Sequence, residues 1–123
     1  MPENSNFENI YKSNVKLVND EISNLLLSVN PKEVDELVEE ILIAKKIFFI
    51  GVGRVFLSLQ SFCKRLAHLG IETNIVGAVN EQAMKSGDLL IVASGSGESI
   101  IPVAIAEKAL SLNGKIGLIT SAK

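Results

Sequence analysis

A chain of 123 residues with 47% hydrophobic content is long enough to bury a core of its own. Its 12 Lys and Arg against 14 Asp and Glu leave a net charge of −2, without the cationic excess that binding to nucleic acid phosphates demands. One cysteine, Cys63, excludes a disulfide framework; no apolar run reaches the ~18 residues of a membrane span, and the start Met1-Pro2-Glu3-Asn4 lacks a signal-peptide pattern, so the expected compartment is the cytoplasm.

From Phe7 to Ser28 the apolar positions Ile10, Val15, Val18, Ile22 and Leu25-Leu26 recur every three or four residues, the pattern of an amphipathic helix. Asn30-Pro31-Lys32-Glu33 then reads as a helix start, with Asn30 as N-cap and Pro31 at the first helical position. This second helix runs to about Ala44 with Val34, Leu37, Val38, Ile41 and Leu42 on one face, and Lys45-Lys46 closes it. Residues 1–45 are thus expected to form a helical segment packed on a domain made of residues 46–123.

Ile47-Phe48-Phe49-Ile50 is an unbroken apolar run ending in Gly51-Val52-Gly53, a first strand and its turn. A helix is predicted from Arg54 to Leu69, stopped by Gly70, and a second strand from Ile71 to Val76. Gly77 to Met84 reads as a loop or short helix, and Asp88 to Ala93 as a third strand. Ile100 to Leu112 follows as a helix, Asn113-Gly114 stops it, and Lys115 to Thr120 is a fourth strand. Alternating helices and continuously apolar strands predict an α/β fold, a three-layer α/β/α sandwich on a doubly wound parallel sheet ordered 2-1-3-4, preceded by two N-terminal helices. A fourth strand is ordinarily followed by a covering helix, so the end at Lys123 raises the expectation of a truncated domain or of an edge covered by a partner.

Between the third strand and its helix lies Ser94-Gly95-Ser96-Gly97-Glu98-Ser99. Two glycines let the backbone approach a ligand and align several N–H groups, three serines add hydroxyls, and the helix start adds partial positive charge. A phosphate, which accepts bonds from many directions, suits such a loop better than a planar carboxylate. The plainer reading is an ordinary strand-to-helix turn in which Ser99 caps the helix.

Taken in order, these pieces resemble the sugar isomerase (SIS) domain family, and within it the 6-phospho-3-hexuloisomerases. The resemblance rests on Ile47-Phe-Phe-Ile-Gly-Val-Gly-Arg54, Lys64-Arg-Leu-Ala-His-Leu-Gly70, Gly87-Asp-Leu-Leu-Ile91, the serine loop and Ala106-Glu-Lys-Ala109, and it covers about Phe7 to Ser121. It implies an isomerase that interconverts a 3-hexulose 6-phosphate and fructose 6-phosphate by proton transfer through an enediolate, with neither metal nor organic cofactor. It further implies that Ser94, Ser96 and Ser99 hold the phosphate with the Gly95 and Gly97 amides, and that Gly53 and Arg54 face the same pocket. His68 becomes the acid/base or polarising candidate, serving a pocket shared with a neighbouring subunit of a homo-oligomer (dimer or tetramer), as the apolar leading helices also suggest.

Two features depart from the family pattern. Its first loop usually reads Gly-x-Gly-Arg-Ser-Gly, whereas Val55 and Phe56 follow Arg54 here, which implies a smaller pocket or a different substrate. The glutamate expected as base lies past the fourth strand, beyond this sequence. Both favour the alternative reading, a phosphosugar-binding sensor or regulatory module.

Single residues also have plainer readings. His68 fits a surface histidine favoured by a helix C-terminus, Glu98 a residue complementing a helix start, and Cys63 a core position beside Phe62. Arg54 is different, because positive charge opening a helix is unfavourable and raises the case for an anionic partner. Glu81 and Gln82 are within chain reach of the pocket, with no assignment. Dinucleotide binding through Gly51-Val52-Gly53 is disfavoured, since Phe56 replaces the third glycine and Val76-Gly77 ends the second strand without an acid. No His, Cys or carboxylate cluster has metal-ligand spacing.

Overall fold

The computed structural model describes residues 4–95 and 100–121, without the side chains of residues 4, 5 and 100–102. The elements are α1 (Asn4–Ser28), α2 (Pro31–Ile43), β1 (Ile47–Ile50), α3 (Arg54–His68), β2 (Thr73–Ile75), β3 (Leu89–Ala93), α4 (Ile100–Ser111) and β4 (Lys115–Ile119). The chain divides into two compact units, Met1–Glu36 and Leu37–Lys123, so the break falls inside α2 and not after it. The reason is that the second half of α2 carries Leu37 and Ile41, which pack into the core of the sheet unit.

In the first unit, α1 begins a turn upstream of Phe7 and carries the i,i+4 ion pairs Lys12–Glu8 at 2.6 Å and Lys16–Asp20 at 2.7 Å. Such exposed pairs each add only about 0.3–0.5 kcal/mol. Asn30 caps α2 as expected, its Oδ1 accepting the Lys32 N–H at 2.9 Å.

In the second unit four parallel strands lie in the order β2-β1-β3-β4. Every residue of β1 and β3 is buried. Alternation sends Ile47, Phe49, Leu89 and Ile91 to one face, under Ile41 of α2 and Leu59, Cys63 and Leu66 of α3. Phe48, Ile50, Leu90 and Val92 go to the other, under Ala109 and Ile105 of α4. Phe49 meets Phe62 of α3 edge to face, ring centroids 5.8 Å apart. Gly117 of β4 makes room for α2: a Cβ there would sit 2.8 Å from Leu37 Cδ1.

The turn chemistry follows the sequence closely. Gly70 has φ +85°, its N–H bonds the Ala67 carbonyl at 3.0 Å, and the Ile71 N–H bonds that of Leu66 at 3.1 Å, a Schellman close to α3. Because the Ile71 N–H serves that cap, β2 starts only at Thr73, later than expected from the apolar pattern. Asn113, at φ 61°, and Gly114 close α4 in the same way.

The connection from β2 to β3 is a loop with no helical turn. It crosses the face that carries α4 and is fastened at several points. The Gly77 N–H bonds Glu81 Oε2 at 2.9 Å, and the Gln82 N–H bonds Asn74 Oδ1 at 3.3 Å. Lys46 Nζ donates to the Ala83 carbonyl at 2.9 Å and lies 3.5 Å from Asp88 Oδ2, which also accepts the Lys85 N–H at 2.8 Å. Both partners of this pair are withdrawn from water, at 12% and 1% side-chain exposure. Removing one charge from such a pair leaves the other unpaired. Lys46→Met is therefore expected to cost about 3 kcal/mol in urea unfolding, well beyond the effect of breaking the exposed Lys115–Glu40 pair, which is worth about 0–1 kcal/mol.

Candidate functional site

A doubly wound sheet puts its crevice where neighbouring strands send their chains to opposite faces, at the carboxyl ends. Here that point lies between β1 and β3, since β1 leads to α3 on one face and β3 to α4 on the other.

On the β1 side, Gly51 allows the close approach. A Cβ there would lie 3.1 Å from Leu59 Cδ1, 3.4 Å from the Ala93 carbonyl oxygen and 3.4 Å from Phe56 Cα. The first turn of α3 is thereby seated against the end of β3. Gly53 precedes α3 at φ 67° and ψ −140°, a conformation reserved for glycine, and gives the helix no side-chain cap. Arg54 opens α3 and is exposed, with no acidic residue in that first turn. Uncapped N–H groups and a guanidinium thus share the mouth of the crevice. Val55 is 38% exposed beside them, and Phe56 is half-buried against Gly51.

On the β3 side, Ser94 is buried, and its N–H bonds the Ile119 carbonyl at 3.0 Å, the last rung toward β4. Gly95 follows, exposed. Ser96, Gly97, Glu98 and Ser99 lie outside the described residues, so of the serine loop the structure places Ser94 and Gly95. Two hydroxyls that the sequence pattern did not single out converge on this loop. The Gly95 carbonyl accepts Ser121 Oγ at 2.7 Å and Thr120 Oγ1 at 3.4 Å. The available signal was a pair of hydroxyl residues directly after a strand that must end beside β3.

The structure therefore brings Gly53, Arg54, Ser94 and Gly95 to one edge of the sheet. It does not bring His68 to them within one chain. His68 is exposed, in the last turn of α3, fourteen residues after Arg54 and so about 21 Å away along the helix axis. Glu81 is bonded to Gly77 on the β2–β3 connection. Beside that connection is a cavity of about 540 Å³ against α4, floored by Phe48, Leu90 and Ala109; Glu81 and Gln82 line it, whereas Gly53, Arg54, His68, Ser94 and Gly95 do not. Among the described residues no group of His, Cys, Asp or Glu is arranged to hold a metal ion, and no helix is long and apolar enough to cross a membrane.

No family profile matches the chain. It is 38% identical over 100 residues to the 3-hexulose-6-phosphate isomerase of Bacillus subtilis, covering 81% of this chain and 54% of that protein. A Methanococcus jannaschii protein, whose crystal structure was described as inferring a 3-hexulose-6-phosphate isomerase function, aligns with a TM-score of 0.73 at 37% identity. That alignment covers 75% of this chain and 52% of the other. The sugar isomerase domain of an RpiR transcription factor from Sphaerobacter thermophilus aligns with a TM-score of 0.70 over 88% of this chain and 65% of its own, and at 22% identity it bears on the fold alone. The chain thus spans about half the length of the enzyme and the M. jannaschii protein it matches.

The strain at Gly53 can be isolated, since a Cβ there would meet no atom within 4 Å. Gly53→Ala is expected to destabilise the fold by about 2 kcal/mol through backbone conformation alone, measured by chemical denaturation. A cost near zero would mean that α3 starts differently.

Proposed function

Because the chain is a homologue of the 3-hexulose-6-phosphate isomerases on a sugar isomerase (SIS) fold, we propose that it supplies the phosphosugar-binding part of an enzyme interconverting a 3-hexulose 6-phosphate and fructose 6-phosphate. The observation that carries this reading is the close approach of Gly51 to the end of β3, which leaves Gly53-Arg54 and Ser94-Gly95 both following the carboxyl ends of the adjacent strands β1 and β3.

The chemistry moves a carbonyl between adjacent carbons. A base removes the proton on the carbon bearing the hydroxyl and the electrons form an enediolate; a proton then returns to the former carbonyl carbon while the hydroxyl proton is transferred to the former carbonyl oxygen, which completes the change. One carbon is oxidised as its neighbour is reduced, so no external redox partner enters the balance. The protein has to hold the sugar, stabilise the enediolate oxygen and carry protons. In this reading Ser94, Ser96 and Ser99 with the Gly95 and Gly97 amides take the phosphate, which anchors the sugar away from the reacting carbons. Arg54 places a positive fork at the crevice, suited to phosphate or to the developing oxyanion. His68 acts as acid/base or polarising group from a second copy, which makes a cytoplasmic homo-oligomer part of the proposal.

The regulatory alternative, a phosphosugar sensor, draws its support from Val55 and Phe56 in the mouth. Relatives above 30% identity that carry a functional name are isomerases, which favours the enzymatic reading.

The test is isomerisation of 3-hexulose 6-phosphate by the full protein, beside a titration with fructose 6-phosphate. Turnover and saturable binding are expected, with Arg54→Ala weakening fructose 6-phosphate about tenfold, the size of a lost charge-assisted contact. Binding without turnover selects the sensor, and absence of both overturns the phosphosugar site.

A further inference from the structure

A parallel sheet ordinarily covers its faces with the helices of its crossovers. The β2–β3 connection has no helix and crosses the α4 face as irregular chain. A helix is about 10 Å across, and a single extended chain fills less. The space left between the connection and α4 is the cavity of about 540 Å³, which is within the size range of small-molecule sites. Its lining comes wholly from positions 48–112, inside the unit Leu37–Lys123.

The walls are held without a ligand. The Gln82 N–H bonds Asn74 Oδ1 at 3.3 Å, and the Ala83 carbonyl accepts Lys46 Nζ at 2.9 Å. Met84 packs on the turn between α4 and β4, where a Cβ at Gly114 would lie 3.0 Å from its Sδ. On the opposite wall Ile105, Lys108, Ala109 and Leu112 stand at i, i+3, i+4 and i+7, one face of α4.

The lining divides by chemistry. Phe48 and Leu90 form a buried apolar floor, and Met84, Ile105 and Leu112 extend it, so an apolar body seated there leaves water. Among the polar groups donors prevail. The Lys108 ammonium has no ion-pair partner among the described residues, and Gln82 adds an amide at the rim. Asn74, beside Phe48 in the sheet and 9% exposed, keeps a buried Nδ2 for which the described residues offer no acceptor. The carboxylate in the lining, Glu81, already accepts the Gly77 N–H at 2.9 Å.

We propose that this cavity is a second binding site, separate from the crevice, for a compact apolar molecule carrying one carboxylate. Its hydrocarbon body lies on Phe48, Leu90 and Met84, and its anion meets Lys108. A sugar phosphate does not suit these walls, because its hydroxyls would face hydrocarbon without partners. Gly53, Arg54, Ser94 and Gly95 contribute nothing to the lining, so the site stands whether or not the crevice takes a phosphosugar.

The experiment titrates the full chain with 2-naphthoate and, separately, with the cation 2-naphthylmethylammonium, following side-chain methyl resonances. Saturable shifts at Met84, Ile105 and Leu112 are expected with naphthoate, and weaker binding with the cation. Lys108→Gln is expected to weaken naphthoate about fivefold, the size of one partly exposed charge contact, and to narrow its preference over the cation. Ala83→Leu fills the cavity from its exposed rim and is expected to abolish the shifts, with Tm within ~3 °C of wild type. Fructose 6-phosphate should not displace naphthoate. Shifts confined to the exposed apolar residues of α1, with Met84 and Ile105 unmoved, overturn the assignment, as does naphthoate binding that survives Ala83→Leu unchanged. Equal affinity for the two naphthyl probes overturns the anionic class of the ligand, and displacement by fructose 6-phosphate overturns a separate site.

Discussion

The constraint from which the rest of this structure follows is that β1 and β3 are apolar on both faces and lie side by side. Ile47 to Ile50 and Leu89 to Ala93 are all at or below 5% exposure. A strand with apolar side chains in both directions needs a layer above and a layer below. One layer comes from α3 and the second half of α2, the other from α4, and each crossover returns to a strand on its own side of the central pair. The two chains leave the centre in opposite directions because each must cover a different face. The crevice at their carboxyl ends is a consequence of that division. Burial of the core and placement of the candidate site are one geometric fact.

The two ends of the sheet are built differently. At the amino end, charge is consumed in construction: Asp88 accepts the Lys85 N–H and pairs with Lys46, whose ammonium also holds the Ala83 carbonyl and lies 5.6 Å from the Phe48 ring centre. These bonds fasten an irregular connection that has no ladder of its own. At the carboxyl end the polar groups are left at the mouth, with Gly53 and Gly95 in open space and the α3 N-terminus uncapped. Of the candidate groups at this end Arg54 and Gly95 are exposed, whereas Ser94 is buried at the end of β3.

The fold was legible because its determinants are local and repetitive. Ile47–Ile50 and Leu89–Ala93 are unbroken apolar runs, Asn30-Pro31 and Gly70 mark helix ends through backbone chemistry, and the strand order follows from alternation with helices. The short β2 was less legible, because Ile71 fits a strand by composition while its N–H is drawn into the cap of α3, a competition that no hydropathy pattern reports. The division inside α2 was hidden for a similar reason: Val34, Leu37, Val38 and Ile41 look alike in sequence, yet only Leu37 and Ile41 join the core of the sheet unit. At the site, residues within one motif were visible as a group. The Ser121 contact was not, since it joins positions 26 apart and depends on where β4 ends relative to Gly95.

The same limit applies to the pairing of Arg54 with His68. In sequence both sit in one helix and both attract attention, one for charge at an N-terminus and one for an imidazole at a C-terminus. An α-helix separates its ends by 1.5 Å per residue, so α3 sets about 21 Å between them, far beyond the reach of either side chain toward the other. If both serve one sugar phosphate, α3 of one copy offers its N-terminus while α3 of another offers its C-terminus. A two-fold arrangement of antiparallel α3 helices would create that site twice by the same contacts. The requirement is strict, because a rigid helix cannot bend its last turn back to its first. Catalysis by this pair would therefore depend on association, and binding through Arg54 alone would not.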